Sequence, residues 1–150
     1  REHKLANVLA TLNCDYILID CPPSLGLLTI NGLTAATDVL IPVQAEYYAL
    51  EGLSQLLSVI QQVQQALNPP LNLLGVVVTL YDSRTSLSEQ VKAELAQHFG
   101  EKLFQTIIPR NVRLAEAPSF GKTIVEHDKW SKGARAYKAL AKEVEEKFYG

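Results

Sequence analysis

Apolar residues recur along the chain with two spacings, one typical of amphipathic helices and the other typical of buried strands. Helical spacing, in which an apolar residue returns every three or four positions, predicts helices over residues 5–12, 27–36, 53–67, 86–99 and 137–148. Short continuous apolar runs predict strands at residues 16–20, 39–43, 73–80 and 103–108. Helices and strands therefore alternate along most of the sequence.

Strands that alternate with helices and are apolar throughout are typical of a parallel sheet with both faces covered. The predicted fold class is α/β, a three-layer sandwich around a mostly parallel sheet, with residues 1–150 forming a single domain. In such folds ligands bind at the carboxyl ends of the strands. We therefore expect the functional residues in the loops that follow the strands, at 20–26, 44–50, 80–86 and 109–122.

Local signals set several of the helix ends. Pro69 and Pro70 end the third helix, because proline cannot continue the helical hydrogen-bond pattern. Ser86 and Glu89 fit a capping box at the start of the fourth helix, and Gly100 ends it. Residues 109–129 are predicted to form an unusually long ordered loop, a kind of segment that is often functional.

The composition, 47% hydrophobic and 20% charged, is that of a globular domain. No apolar run approaches the roughly 20 residues that span a bilayer, and no leader pattern is present, so we predict a cytoplasmic protein without a membrane segment. Cys14 and Cys21 lack the spacing of a zinc site or a disulfide framework, and we predict that both are buried as small apolar residues. The chain begins at Arg1 and contains no methionine, which favours part of a longer protein.

The net charge of −2 conceals a gradient along the sequence. Residues 1–108 contain 5 Lys or Arg against 10 Asp or Glu, whereas residues 109–135 contain 6 against 3. A local basic patch determines binding to a polyanion more than net charge does. The basic stretch therefore predicts either a polyanion-binding surface or an ordinary solvated loop.

Asp20 ends the first predicted strand and is followed by two prolines and a glycine. An aspartate at this edge of the sheet is where nucleotide-hydrolysing α/β proteins hold Mg²⁺, usually through a water molecule. The stiff segment after it would suit a loop that senses a γ-phosphate. The alternative is an ordinary aspartate at the end of a strand, followed by a turn.

Four blocks carry a resemblance to a known family: 19–26 (IDCPPSLG), 42–52 (PVQAEYYALEG), 81–85 (YDSRT) and 108–122 (IPRNVRLAEAPSFGK). In these blocks the chain closely resembles the ParA/Soj chromosome- and plasmid-partitioning ATPases. That family belongs, with MinD, to the deviant Walker A branch of the P-loop NTPases. The resemblance extends over essentially all of residues 1–150 and corresponds to the C-terminal part of the family.

The resemblance implies roles for residues in three of the loops. Asp20 corresponds to the Walker B aspartate that holds Mg²⁺ and is expected to be catalytic. The nearby switch II positions are Pro22, Pro23 and Gly26. The expected nucleotide-binding residues near the adenine are Thr79, Leu80, Pro109, Arg110 and Asn111. For Asn111, an amide that only stabilises a turn is an equally good interpretation.

Arg84 and Arg113 correspond to family arginines implicated in non-specific DNA binding, and Lys122 extends the same basic surface. A guanidinium can bind phosphate through two hydrogen bonds without reading sequence. Arg113 and Lys122 lie in the basic stretch, which supports this interpretation independently. The alternative for each arginine is a surface ion pair, between Arg84 and Asp82 and between Arg113 and Glu116.

The family implies ATP and Mg²⁺ as cofactors, a homodimer, non-specific double-stranded DNA and a ParB-like centromere-binding partner, at the nucleoid. The family's glycine-rich Walker A loop and its N-terminal strands are not in this sequence. Residues 121–123 (GKT) only mimic the end of such a loop, because Glu116 stands where its first glycine is required. Whether the chain hydrolyses ATP is therefore open, and the alternative is a non-hydrolysing DNA-binding or dimerisation module.

Overall fold

A computed structural model describes the whole chain, Arg1–Gly150. Its three strands are β1 (Asp38–Gln44), β2 (Asn72–Tyr81) and β3 (Leu103–Pro109). Its helices are α1 (Lys4–Leu9), α2 (Leu27–Ala35), α3 (Ala49–Ala66), α4 (Ser86–Phe99), α5 (Val112–Glu116), α6 (Ile124–His127) and α7 (Lys132–Tyr149). Single 3₁₀ turns occupy Gly100–Lys102 and Ala117–Phe120. No helix combines the length and the hydropathy that a bilayer span requires.

The strands form one sheet in the order β1-β2-β3, with β2 and β3 parallel. The predicted α/β class with a parallel sheet is confirmed. The chain divides into two compact units, one of residues 1–39 and 51–73 and the other of residues 40–50 and 74–150. That residues 1–150 form a single domain stays a prediction.

In the first unit, side-chain amides hold the ends of helices and loops. The Asn68 amide nitrogen donates to the carbonyl oxygens of Leu33 and Ala36, at 2.9 and 2.8 Å, where α2 ends. The Gln64 amide donates to the Leu71 carbonyl at 2.8 Å. These bonds satisfy carbonyl groups that have no partner within a helix. The buried apolar side chains of this unit are Leu33, Leu53, Ile60, Val63 and Leu71.

In the second unit, α7 packs on β2 and β3. Val77, Phe104 and Ile108 are almost fully buried, and partly buried side chains cover them, among them Leu114 and Leu140. The amphipathic spacing of α7 brings Leu140 back to the same side of the helix as Ala136 and Val144, which also pack on this cluster. Removal of this apolar surface from water is the main stabilising contribution.

A carboxylate from α7 accepts backbone hydrogen bonds at a bulge in β3. Val76 pairs with Leu103 and Val78 with Ile107, so β3 advances four residues while β2 advances two. Glu143 of α7 accepts hydrogen bonds from the backbone amides of Gln105 at 2.7 Å and Thr106 at 2.9 Å. Burial raises the pKa of Glu143, but the hydrogen bonds from Thr106 and Gln105 outweigh it, and the pKa lies below its ordinary value.

The predicted strand at residues 16–20 is wrong. These residues form no strand, and the three-stranded sheet does not include them. Leu18 is 93% exposed and Ile17 is 42% exposed. An apolar run becomes a strand only where a neighbouring strand pairs with its backbone and a packed layer covers its side chains. Cys14 and Cys21, predicted to be buried, are exposed as well.

Two further local predictions need correction. The cap of α4 is Thr85 and not Ser86: the Thr85 hydroxyl accepts from the Ser88 amide at 3.3 Å. The stretch 109–129 is not one loop, because it contains α5, a 3₁₀ turn and α6. The capping box lies in this stretch, where Thr123 and Glu126 bond reciprocally at the start of α6.

Candidate functional site

The carboxyl ends of the three strands carry a group of polar residues within the second unit. Glu46 follows β1, Asp82 follows β2, and Arg110 follows β3. The guanidinium of Arg110 donates from Nη2 to Glu46 Oε1 at 3.1 Å. Because β2 lies between β1 and β3, this ion pair joins two loops across the end of the middle strand.

Backbone hydrogen bonds fix these loops beside β2. The Ala45 amide donates to the Thr79 carbonyl at 2.9 Å, and the Arg110 amide donates to the Tyr81 carbonyl at 2.8 Å. Pro109 is the last residue of β3 and pairs in register with Tyr81. Four of the expected nucleotide-binding residues, Thr79, Leu80, Pro109 and Arg110, therefore lie together at one edge of the sheet.

Leu80 has an unusual backbone conformation. Its φ is 49°, the one positive value in the chain outside the glycines. A left-handed conformation is strained for a leucine, and such residues concentrate at functional sites. The pairing shifts by one residue between Val78 and Tyr81, so Leu80 lies in a bulge at the end of β2. The bulge sets the direction in which the chain leaves the sheet.

Asn111 also lies at this edge, directly after Arg110. Its Oδ1 atom is buried and accepts no hydrogen bond. Asn111 precedes α5, but its side chain makes no cap hydrogen bond to the helix. A buried acceptor without a donor is costly, so an unpaired one indicates a group that a ligand donor can satisfy. The nucleotide-binding role of Asn111 stays a prediction, and its side chain provides no helix cap.

Arg84 forms a two-pronged ion pair with Asp82. Arg84 Nε donates to Oδ1 at 2.9 Å and Nη2 donates to Oδ2 at 2.8 Å. The hydrogen bonds from Arg84 lower the pKa of Asp82 to about 2. The Arg84 side chain is nevertheless 84% exposed. The ion pair considered as the alternative for Arg84 is thus present, and it leaves the guanidinium accessible.

Arg113 contacts two carboxylates. Its Nη1 donates to Glu116 Oε2 at 3.1 Å, and its Nε lies 3.4 Å from Asp128 Oδ2. His127 Nε2 lies 3.1 Å from the same Glu116 oxygen. Hydrogen bonds from His127 and Arg113 hold the pKa of Glu116 below its ordinary value. The predicted Arg113–Glu116 pair is therefore part of a larger network.

Lys122 is exposed and precedes α6. Its backbone amide donates to the Ala117 carbonyl at 3.2 Å, and the next amide, of Thr123, donates to Glu126 Oε2 at 2.9 Å. Both amides are engaged within the chain. Residues 121–123 accordingly do not form a phosphate-binding loop, as the sequence indicated.

Asp20 and the switch II positions lie in the first unit. Asp20, Pro22 and Pro23 are exposed in an irregular segment before α2. Gly26 stands at the N-cap position of α2, and the Thr29 hydroxyl donates to the Ser24 carbonyl at 2.5 Å, which tightens the turn. Association of Asp20 with the residues of the second unit stays a prediction.

Comparisons with known proteins place these observations in a family. A family model described as an AAA domain matches residues 1–73. The chain is 62% identical over 130 residues to the chromosome-partitioning ATPase Soj of Thermus thermophilus, covering 87% of this chain and 52% of that protein. It is 53% identical over 146 residues to the chromosome partitioning protein ParA of Myxococcus xanthus, covering 96% of this chain and 52% of that protein.

The chain belongs to the ParA/Soj family. It spans about half the length of the curated ParA/Soj relatives that it matches. A solved structure of cobyrinic acid a,c-diamide synthase from Mycobacterium smegmatis, with bound ADP and magnesium, is also similar. The TM-score is 0.74 at 43% identity, over 94% of this chain and 51% of that one. The family and the α/β fold expected from the resemblance are thereby confirmed.

Sequence reasoning missed three residues of this ParA/Soj chain: two contact expected site residues, and the third, His127, contacts Glu116 beside Arg113. Glu46 pairs with Arg110, and both Asp128 and His127 belong to the Arg113 network. Glu46 lay in one of the blocks that carried the resemblance, but no local pattern linked it to a residue 64 positions away. His127 and Asp128 directly follow a capping box, whose recognition would have placed them at the end of a helix.

Proposed function

We propose that this chain supplies the adenine-binding loops and the DNA-binding arginines of a ParA/Soj-type partitioning ATPase. The complete enzyme would bind ATP and Mg²⁺, dimerise, bind double-stranded DNA without sequence preference, and hydrolyse ATP when a ParB-like partner stimulates it. It would act in the cytoplasm, on the nucleoid. The observation that carries the proposal is the buried, unpaired Asn111 Oδ1 beside Arg110 at the carboxyl edge of the sheet.

The residues of this edge fit the base of ATP. Adenine presents an exocyclic amino group, which is a hydrogen-bond donor, and Asn111 offers an acceptor without a donor. Thr79, Leu80 and Pro109 would bound the base from the ends of β2 and β3. Arg110 is kept in place by Glu46 and by its backbone bond to Tyr81.

The residues described do not make a complete site for the phosphates or for Mg²⁺. No group of three or more His, Cys, Asp or Glu side chains is arranged to hold a metal ion. The sequence contains no glycine-rich Walker A segment, whose amides and lysine would stabilise the charge on the transferred phosphate. Asp20 would contribute one carboxylate near Mg²⁺, as the resemblance implies, and the remaining contacts would come from residues outside this sequence.

DNA binding would rest on Arg84, Arg113 and Lys122. Arg84 and Arg113 are 84% and 55% exposed, so phosphate can reach each guanidinium although a carboxylate is already bound. Contacts from arginine to phosphate hold DNA without reading its sequence. The affinity should therefore fall steeply as salt rises, because each contact releases a counterion.

A complementation experiment tests the enzymatic part. ATP hydrolysis is measured for the chain alone and after a polypeptide carrying the family's Walker A segment is added, with Asp20→Asn as the matched variant. The proposal expects activity only in the mixture, and loss of that activity in Asp20→Asn. A mixture as inactive as the chain alone, although the two polypeptides associate, would contradict it.

A non-hydrolysing DNA-binding module is the second candidate. The exposed arginines and the incomplete phosphate site favour it. If this candidate is correct, the affinity for duplex DNA does not change when ATP is added. DNA affinity measured with and without ATP and Mg²⁺, in the complemented mixture, separates the two functions.

A further inference from the structure

Arg113 lies in the basic stretch of residues 109–135, but the charged side chains that contact it are negative. Two carboxylates, Glu116 and Asp128, lie within 3.1 and 3.4 Å of its guanidinium. The cluster of Arg113, Glu116 and Asp128 thus carries more negative than positive charge while His127 is neutral. A DNA phosphate that approaches Arg113 meets two like charges at distances far shorter than the Debye length of about 8 Å.

Both carboxylates are also held from their other side. His127 contacts the Glu116 oxygen that Arg113 uses, and its ring stacks on Phe120 with the ring centroids 4.9 Å apart. Asp128 Oδ1 accepts a hydrogen bond from the Trp130 amide at 3.2 Å. These contacts keep the two carboxylates beside the guanidinium when an anion arrives, since neither depends on Arg113 alone for its position.

The geometry leaves part of the guanidinium open. Arginine has five N–H donors, and the contacts with Glu116 and Asp128 engage Nη1 and Nε. Both hydrogens of Nη2 remain for a phosphate oxygen, and the side chain is 55% exposed. Arg113 can therefore bind phosphate on one side while it is oriented by the carboxylates on the other.

We propose that Glu116 and Asp128 are positioning residues that orient Arg113 and limit its affinity for DNA. This inference rests on the proposed DNA binding by Arg113. The carboxylates fix the direction of the guanidinium, and their charge weakens each phosphate contact. The chain then binds duplex DNA more weakly, and releases it more readily, than its count of basic residues indicates.

The inference is tested with the full chain and a fluorescently labelled duplex of arbitrary sequence, by anisotropy over a series of salt concentrations. Glu116→Gln removes one charge and preserves size. We expect it to tighten binding about 1.4- to fivefold at low salt, the range for one exposed ion pair. Glu146→Gln is the matched control: it makes the same change in net charge on α7, where Glu146 contacts Lys142.

If Glu116 acts through Arg113, the increase in DNA affinity caused by Glu116→Gln must depend on Arg113. In an Arg113→Ala background, Glu116→Gln should then change the affinity no more than Glu146→Gln does. A gain that persists without Arg113, or equal effects of the two Gln variants in the unsubstituted chain, would overturn the inference. Asp128→Asn, which keeps an acceptor for the Trp130 amide, gives a second test and carries the decision if Glu116→Gln does not fold.

The same measurements separate this inference from the proposed function. If Arg113→Ala leaves duplex binding and its salt dependence unchanged, DNA binding by Arg113 is wrong. If the unsubstituted chain binds no duplex, both are overturned. If Arg113→Ala weakens binding and Glu116→Gln has no effect beyond that of its control, only the inference about the carboxylates fails.

Discussion

Arg110 Nη2 donates to Glu46 Oε1 at 3.1 Å and so joins the loops after β3 and β1 across the end of β2. The two side chains are separated by 64 positions in the sequence. This contact adds to the backbone hydrogen bonds that fix the two loops beside β2, and it involves the residue directly before Asn111. Its energetic value is limited, since both side chains are about half exposed.

The Arg110–Glu46 pair should couple weakly but measurably. Exposed ion pairs contribute about 0.2–1 kcal/mol. In a double-mutant cycle with Arg110→Gln and Glu46→Gln, we expect a coupling free energy in that range, from urea unfolding. A coupling of zero would mean that the two loops are not joined by this contact in solution.

Asp82 should titrate far below an ordinary aspartate. Its pKa is lowered from 3.8 to about 2 by hydrogen bonds from Arg84. Because the folded-state pKa is depressed, the stabilisation by this pair is complete above pH 3.8 and is lost as the pH falls towards about 2. NMR titration of the Asp82 carboxyl carbon checks the value. In Arg84→Gln the midpoint should return towards 3.8; a midpoint that does not move would refute the pairing.

Gly75 should not tolerate a side chain. A Cβ atom at this position in β2 would lie 2.6 Å from Phe104 Cε1 and would also collide with the Lys102 carbonyl oxygen. We expect Gly75→Ala to lower the free energy of unfolding by about 1–3 kcal/mol, the usual cost of overpacking. Gly52→Ala is the control. Nothing lies within 4 Å of a Cβ at Gly52 in α3, so that change should instead stabilise the chain by about 0.5–1 kcal/mol.

Glu143 should anchor α7 to the bulge of β3. Removing its carboxylate leaves the Gln105 and Thr106 amides without their acceptor. Hydrogen bonds to charged groups contribute about 1.5–3 kcal/mol, and partial exposure reduces this to roughly 1–2 kcal/mol for Glu143→Ala. Amide hydrogen exchange at Gln105 and Thr106 should accelerate in the same variant. Glu145→Ala, at an exposed position of α7, should change neither quantity.

The sequence predicted those helices and strands whose apolar residues pack against other parts of this chain. Helices α3 and α4 and strands β2 and β3 lie close to where the apolar pattern puts them. The run at 16–20 has the same pattern and forms no strand, because a strand also requires a neighbour to pair with. The apolar pattern indicates which residues are favoured in the interior. It does not indicate whether a neighbouring strand is available to pair with them.

The candidate site was predictable only in part, for a related reason. Arg110 and Asn111 follow a strand, so their place at the carboxyl edge follows from the parallel fold. The Arg110–Glu46 pair and the left-handed backbone of Leu80 depend on how the loops meet, and no local sequence signal contains that information. The pairs of Arg84 and Arg113 were foreseeable because each has a carboxylate within three positions.

The central claim is that Asn111 Oδ1 receives the amino group of adenine, and adenosine tests it most directly because it has the base without the phosphates. NMR spectra of the chain are recorded during titration with adenosine, and with purine riboside, in which a hydrogen atom replaces the amino group and no other donor is gained. We expect adenosine to shift the Asn111 side-chain amide resonances together with the backbone amide of Arg110, and purine riboside to shift them far less. Equal shifts with both nucleosides, or none with adenosine at concentrations that perturb other residues, would contradict the account.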